Sequence, residues 1–233
     1  LPLKDMPQSG VNKLQVGRSV YDFYMKEWAG VDPDNGNPLW YMDEKDANDN
    51  LTGKRVTTSD YASANYYYVK SSLPKVYGGF NTSLSWKGFD LSAIFAYSIG
   101  GYIYNRDITM ILHNGSLEGR DWSTEILKRW TPENRYTDVP ALSTTSNNWN
   151  SASTRFLQNN SYMRLKNLTL SYDLPKQWIS KLALSSVQVF VQGDNLFTIH
   201  RNQGLDPEQG ITGITYYRYP AMRTISGGIN LSF

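Results

Sequence analysis

Between Val76 and Ile99 two runs of about ten residues alternate apolar and polar side chains, separated only by Lys87-Gly88. In the first run Phe80, Thr82, Leu84 and Trp86 share one parity against Asn81, Ser83 and Ser85. In the second, Phe89, Leu91, Ala93, Phe95, Tyr97 and Ile99 form an apolar row against Asp90, Ser92 and Ser98. A period of two means a strand with one apolar face, and a two-residue connection means a hairpin. Runs of about ten residues also match the length at which a tilted strand crosses a bilayer. The pattern recurs at the far end, where Ile225, Gly227, Ile229, Leu231 and Phe233 alternate with Thr224, Ser226, Gly228, Asn230 and Ser232.

Elsewhere the pattern is weaker. Arg18 to Val31 reads as a strand, with Tyr21, Phe23, Met25 and Ala29 on one parity. Asp32-Pro33-Asp34-Asn35-Gly36 is a turn, and Pro38 to Asp43 starts the return. Asp43 to Val69 is polar and aperiodic and reads as a long loop. Asn105 to Thr154 is a second long interruption. Within it Trp122 to Trp130 carries Ile126, Leu127 and Trp130 at helical spacing, with Asp121 or Ser123 as N-cap and Pro132 as a stop. Phe156 to Tyr172 is a strand whose phase changes: Met163 and Leu165 are odd, Leu168, Leu170 and Tyr172 even. Either a bulge lies near Asn167, or Arg164 and Lys166 face outward near headgroups; the spacing leaves both open. Asp173 to Ser185 connects, with Trp178, Ile179 and Leu182 as a short amphipathic piece. Val187, Val189 and Val191 form a strand ending in Gly193-Asp194-Asn195-Leu196-Phe197, and a loop from His200 to Pro220 precedes the last strand.

The connections sort by length. Asp32 to Asn37, Lys87-Gly88 and Asp173 to Ser185 are short and fall on one side. Asp43 to Val69, Asn105 to Thr154 and His200 to Pro220 are long and fall on the other. Membrane β-barrels sort their loops this way, with short periplasmic turns and long extracellular loops. Trp86, Phe89, Tyr172 and Phe233 near the short side suit an interfacial girdle. The expected fold is therefore all-β, an antiparallel transmembrane barrel. About seven strands are visible, and a barrel in lipid must close, so residues 1–233 are expected to be one portion of a larger barrel. Leu1 is no initiator and Leu1 to Gly10 carries no signal pattern, which makes a mature C-terminal portion the expectation. No run is apolar enough for a membrane helix. With 23 basic and 21 acidic residues the net charge is +2, which supports neither a nucleic-acid nor a polybasic-surface role.

Several segments resemble SusC/RagA-type TonB-dependent outer-membrane transporters. They are Val16-Gly17-Arg18-Ser19-Val20-Tyr21, Trp28-Ala29-Gly30-Val31-Asp32-Pro33, and Lys75-Val76-Tyr77-Gly78-Gly79-Phe80 running into Trp86-Lys87-Gly88-Phe89-Asp90-Leu91. Further along come Met163 to Tyr172, Gly193-Asp194-Asn195-Leu196-Phe197-Thr198, Gly204-Leu205-Asp206-Pro207-Glu208 and the last strand. The resemblance implies a barrel of about 22 strands around a plug domain. It also implies TonB-driven import of oligosaccharides or peptides beneath a SusD-like surface lipoprotein. The plug and the segment that meets TonB would precede Leu1. Ser226, Gly228, Leu231 and Phe233 resemble the terminal strand that the barrel assembly machinery reads, and outer-membrane lipid would surround the wall. Two other readings stand beside import: a structural or passive barrel subunit, and a soluble carbohydrate-binding β-sandwich.

Nothing in the chain argues for catalysis or a cofactor. There is no cysteine, and the two histidines, His113 and His200, are not at ligand spacing. No Gly-x-Ser-x-Gly, Walker or Gly-x-Gly-x-x-Gly motif occurs. Asp43, Glu44, Asp46, Asn48 and Asp49 could hold calcium or simply be solvated. Trp122, Trp130, Tyr136, Trp149, Tyr216, Tyr217 and Tyr219 lie in or beside the long loops. There they could stack on sugars or peptides, or pack the loops and dock the lid. Asn81, Ser83, Ser85, Asp90, Ser92, Gln188 and Gln192 suit a wet barrel interior.

Overall fold

The computed structural model describes residues 8–115, 119–143, 148–180, 183–202, 204, 206–208 and 210–233. Leu1, Leu182 and Leu205, named above, lie outside them. The strands before residue 73 are β1 (Gln8–Ser9), β2 (Asn12–Lys13), β3 (Asp22–Lys26), β4 (Trp28–Val31), β5 (Pro38–Lys45), β6 (Leu51–Thr58) and β7 (Tyr66–Ser71). The long hairpin follows as β8 (Val76–Trp86) and β9 (Phe89–Ile99). After it come β10 (Tyr102–Tyr104), the helix α1 (Arg106–Ile111), β11 (Leu157–Asn159), β12 (Tyr162–Asp173), the helical turn α2 (Lys176–Ile179), β13 (Ser186–His200) and β14 (Thr224–Ser232). The chain forms two units.

The first unit draws on the described residues of 1–73, 102–158 and 209–217. Its strands form the small antiparallel sheets β1-β2-β3-β7 and β4-β5-β6 and the two-stranded pair β10-β11. Arg18 to Val31 is thus not one strand: the chain breaks at Glu27, β3 pairs with β7, and β4 pairs with β5. Asp43 to Val69 is not a loop either, because β5 continues to Lys45 and β6 and β7 follow. These strands escape a period-two search for a physical reason. All of β6 but Thr58 is exposed, so neither face had to be apolar. The turn at Asp32 forms as expected, with Asp32 Oδ1 accepting from Asp34 N–H and its backbone carbonyl from Gly36 N–H.

This unit has a packed core. Phe23 and Met25 of β3 meet Tyr104, Leu112, Ile126, Val139, Trp149 and Phe156. The expected helix at 122–130 is a short 3-10 turn, Thr124–Lys128, with Ser123 Oγ accepting from Glu125 N–H as its N-cap. Its one buried residue, Ile126, is the peg that ties the segment to the core. Sequence periodicity did not reveal α1, capped by Asn105 Oδ1 accepting from Ile108 N–H. Arg155 lies in an aromatic nest, its guanidinium 4.9 Å from the Trp28 ring centre and 5.2 Å from that of Trp149.

The second unit draws on the described residues of 74–101, 159–208 and 218–233 and is organised by one five-stranded antiparallel sheet, ordered β14-β13-β12-β9-β8. The hairpin pairs from Trp86↔Phe89 to Val76↔Ile99 without a slip, around Lys87 and Gly88 at positive φ. β12 begins at Tyr162 rather than Phe156, since residues 154–156 form a 3-10 turn. β13 does not end within Gly193-Asp194-Asn195-Leu196-Phe197 but runs to His200. The phase change in β12 is a bulge: its register shifts between Leu165 and Asn167 against both neighbours. Lys166 is the extra residue opposite β9, while Asn195 and Leu196 of β13 together oppose Lys166.

Cross-strand partners share a face, so the register fixes both surfaces of this sheet. One face carries Phe80, Leu84 and Trp86; Phe89, Leu91 and Phe95; Met163, Leu165, Leu168 and Leu170; Val189, Val191, Phe197 and Ile199; and Ile225, Ile229 and Leu231. The other carries Asn81, Ser83, Ser85, Asp90, Ser92, Thr169, Gln188 and Gln192, with Ile94, Ala96 and Phe190 among its apolar members. Lys87-Gly88, the connector 174–185 and Ser232 share one end of the sheet; the chain between β9 and β12 and that between β13 and β14 leave from the other. Of the strands expected to form one wall, five do so. The sheet is open along β8 and β14.

Gly213 (φ +66) is the tightest backbone position in the first unit. A Cβ there would overlap Ser72 Cβ and lie 3.0 Å from Tyr102 O and 3.1 Å from the Phe23 ring. Gly53 has a similar φ (+77) and open space around it. Gly213→Ala is expected to destabilise the unit by about 2–4 kcal/mol, and Gly53→Ala by only about 1 kcal/mol. Thermal unfolding with limited proteolysis measures the difference, and equal losses would contradict this packing.

Candidate functional site

The second unit presents two surfaces with capacity for function. The first is the apolar face itself. Val76, Phe80, Leu84, Trp86, Phe89, Leu91, Leu170, Val189, Val191, Phe197, Ile199, Ile225, Ile229 and Leu231 all stand exposed on it. A continuous exposed apolar surface of five strands is far beyond what a water-facing protein tolerates. Aromatic pairs reinforce it: Phe80 stacks on Phe95 at 4.7 Å, and Phe89 meets Tyr172 at 4.4 Å beside the short turn. On β14, Leu231 pairs with Val187 on this face, whereas Ser226 and Gly228 pair with Gln192 and Phe190 on the polar one. Gly228 has a packing role there, since a Cβ would come 2.8 Å from the Phe190 ring. Phe233 stands past the last rung, almost wholly exposed.

The second surface is a cleft of about 540 Å³ between β13 and the segment leading into β14. The bulge places Arg164 on the polar face, opposite Thr198 and Ala96. Arg164 donates from Nε to Thr198 Oγ1 at 2.8 Å, from Nη1 to Glu208 at 2.8 Å and from Nη2 to Asp206. Only 4% of the Arg164 side chain and 6% of that of Asp206 is accessible. Lys166 also pairs with Glu208. Burial pushes the Asp206 carboxyl up, but bonds from the Ala221 and Glu208 N–H groups and from Arg164 outweigh it and hold Asp206 below the ordinary carboxylate range. Arg164 and Lys166 therefore face neither headgroups nor solvent as free cations.

The loop aromatics do not form one site. In the first unit Trp130 donates from Nε1 to Pro33 O at 3.1 Å and pins the Asp32 turn. Trp122 donates from Nε1 to His113 Nδ1 at 3.2 Å. Trp149 is 0% exposed and belongs to the core, which is the loop-packing alternative for this ring. Tyr136 is 92% exposed. Tyr216 and Tyr217 meet edge-on at 5.4 Å at the start of α1, with Arg106 over Tyr216 and the Tyr217 N–H on Asp107. Tyr219, in the second unit, is 98% exposed. The acidic stretch at 43–49 is partly used up locally: Asp46 Oδ1 accepts from the Asn48 and Asn50 N–H groups, and Asp49 pairs with Lys45.

Among curated proteins, the chain is similar to TonB-dependent receptor P3 of Formosa agariphila, at 29% identity over 234 residues (94% of this chain, 23% of the relative). TonB-dependent receptor P26 of the same organism is 30% identical over 256 residues (100% and 24%). TonB-dependent receptor SusC of Bacteroides thetaiotaomicron is 26% identical over 220 residues (94% and 20%). Among solved structures, the RagAB peptide transporter superposes with a TM-score of 0.82 at 34% identity, covering 98% of this chain and 24% of that one. The RagAB peptide importer in its open-open state gives 0.80 at 33%, covering 100% and 24%. The chain thus spans about a quarter of the length of the relatives it matches. No protein-family model matches it.

His113 is 1% exposed, and its Nδ1 accepts from both Trp122 Nε1 and Gly115 N, which requires a neutral ring. Burial, then the charge of Arg120, lowers its pKa from the ordinary 6.5. A lowered histidine pKa means that the unfolded chain binds the proton more readily, so this stabilisation is complete above about pH 6.5 and declines as pH falls below it. Protection factors of the amides at 112–115 and 119–123, corrected for the intrinsic pH dependence of exchange, are expected to fall between pH 7.5 and 5.5, and His113→Gln to flatten that response; an unchanged profile would refute the neutral-ring assignment.

Proposed function

Because the chain belongs to the SusC/RagA-type TonB-dependent transporters, of which it spans about a quarter, we propose that it is the C-terminal wall segment of an outer-membrane importer of peptides. The observation that carries this reading is the exposed apolar face of the β8–β14 sheet. Such a face is stable when lipid covers it, and its backbone is then satisfied strand to strand. The open edges along β8 and β14 call for further strands, which a closed barrel supplies. β14 would be the strand read by the barrel assembly machinery and would close the wall against the first strand of the barrel.

In this reading Trp86, Phe89, Tyr172 and Phe233 sit at the periplasmic interface. The chain between β9 and β12 and that between β13 and β14 lie outside the cell. Exposed Tyr136, Tyr216, Tyr217 and Tyr219 would offer aromatic faces to cargo or to a SusD-like surface lipoprotein. Energy would arrive through TonB by way of parts of the transporter beyond this chain. The role is binding and passage, with no chemistry done on the cargo. Peptide is preferred over oligosaccharide because the solved neighbours at 33–34% identity are described as peptide transporters.

Two measurements test this. Leu91→Arg or Phe95→Arg, each on the apolar face, is expected to cost about 2–4 kcal/mol of membrane folding, whereas Ser92→Arg on the polar face costs little. Folded yield in outer membranes reads the difference, and equal losses for both parities would remove the lipid-face assignment. Uptake of a labelled peptide by the full-length protein is expected to vanish in cells lacking TonB. Uptake that survives would instead favour a passive barrel.

A further inference from the structure

The cleft of the second unit carries an unbalanced charge. Its floor residues Arg164, Thr198 and His200 belong to the polar face of the sheet. Arg218 and Arg223, from the segment that leads into β14, also line it, as does Asp206. The acids here are already engaged. Asp206 accepts from Arg164 and from the N–H groups of Glu208 and Ala221, and Glu208 is shared by Arg164 and Lys166. Two carboxylates thus cancel two cations. Arg218 and Arg223 remain exposed, and among the described residues neither makes a hydrogen bond or ion pair. The cleft is left with two guanidinium groups and no partner for them. Thr198 adds a donor, because its hydroxyl oxygen accepts from Arg164 Nε and keeps its own proton to give.

A second feature lies along the same cleft. β14 pairs with β13 only as far as Asp194↔Thr224, while β13 continues to His200. No strand among the described residues covers residues 195–200 on that side. An uncovered strand edge suits an extended chain, which can bond along it backbone to backbone. Planar guanidinium forks suit a carboxylate, which they bind through paired N–H donors.

We propose that this cleft is an anion subsite that takes a carboxylate of an extended acidic peptide, with Arg218 and Arg223 as its binding residues and Thr198 as a further donor. Arg164 is a positioning residue: buried and bonded to Thr198, Glu208 and Asp206, it holds Asp206, and through Asp206 the Ala221 backbone of the arginine-bearing segment. The proposal rests on the peptide-import reading and adds a preference for acidic cargo.

The test uses the purified full-length transporter with two labelled hexapeptides, one alternating alanine with glutamate and the other alanine with glutamine. The wild type is expected to bind the glutamate peptide about tenfold more tightly, with the gap narrowing as salt is raised. Arg218→Gln with Arg223→Gln should erase the gap, with an unchanged thermal unfolding midpoint reporting an intact fold. Lys176→Gln, at the opposite end of the sheet, should preserve it. A wild type that does not discriminate, or a double variant that still does, overturns the proposal. Displacement of the glutamate peptide by vesicles containing phosphorylated lipid A, but not by vesicles of its dephosphorylated form, overturns it in favour of a lipid-headgroup site. Binding to the purified protein needs no TonB. Lost discrimination with TonB-dependent uptake intact therefore removes the subsite alone, and retained discrimination with TonB-independent uptake removes the import reading alone.

Discussion

The second unit depends on one extra residue. Without the bulge at Lys166, the alternation of β12 would carry Arg164 onto the apolar face with Leu168 and Leu170, and would turn Met163 and Leu165 to the polar one. The bulge resets the count, and the compensating Asn195-Leu196 pair on β13 passes the correction on, so that Phe197 and Ile199 stay in phase with Val191. Asn195 takes a positive φ to do so, a conformation asparagine accepts more readily than most residues. One slip thereby keeps an apolar surface continuous across five strands. It also delivers a guanidinium to the opposite side, where it meets Asp206 and Glu208.

The two units treat apolar side chains in opposite ways. The first buries Phe23, Met25, Trp149 and Phe156, and tolerates a cation among rings because Arg155 lies against Trp28, Trp149 and Phe156 and donates to Trp149 O at 3.0 Å. Burial pushes the Arg155 guanidinium down to about 10, still charged at neutral pH. The second unit leaves its apolar residues outward and keeps its side-chain hydrogen bonds on the other face, where Asn167 donates to Asp194 Oδ1, Thr169 to Asn167 Oδ1 and Asn230 to Gln188 Oε1. In water such a sheet would aggregate along its face and edges. In lipid the same arrangement is the stable one.

The candidate site was only partly visible beforehand. Aromatic rings in the long loops can stack on cargo or pack the loops, and their position in sequence cannot separate a ring that faces out from one that anchors a loop. Tyr136 and Tyr219 proved exposed, while Trp130 clasps the Asp32 turn and Trp149 is core. Arg218 and Arg223 had no distinguishing pattern. Their interest arises only from the occupation of Asp206 and Glu208 by Arg164 and Lys166, contacts that span some forty positions.

Local alternation alone determined that residues 76–99 form a hairpin with a greasy face and that residues 224–233 form a strand of the same alternating kind. These follow from a side-chain period of two, which each strand carries in itself. Tertiary structure decided the rest. It split residues 18–31 between two sheets, found β6 where neither face needed to be apolar and β7 paired with β3, chose the bulge over outward-facing cations, and buried Trp149. The physical reason is common to all four. Which strand satisfies a backbone edge, and which acid meets a given arginine, is settled by partners distant in sequence, and no local period encodes them.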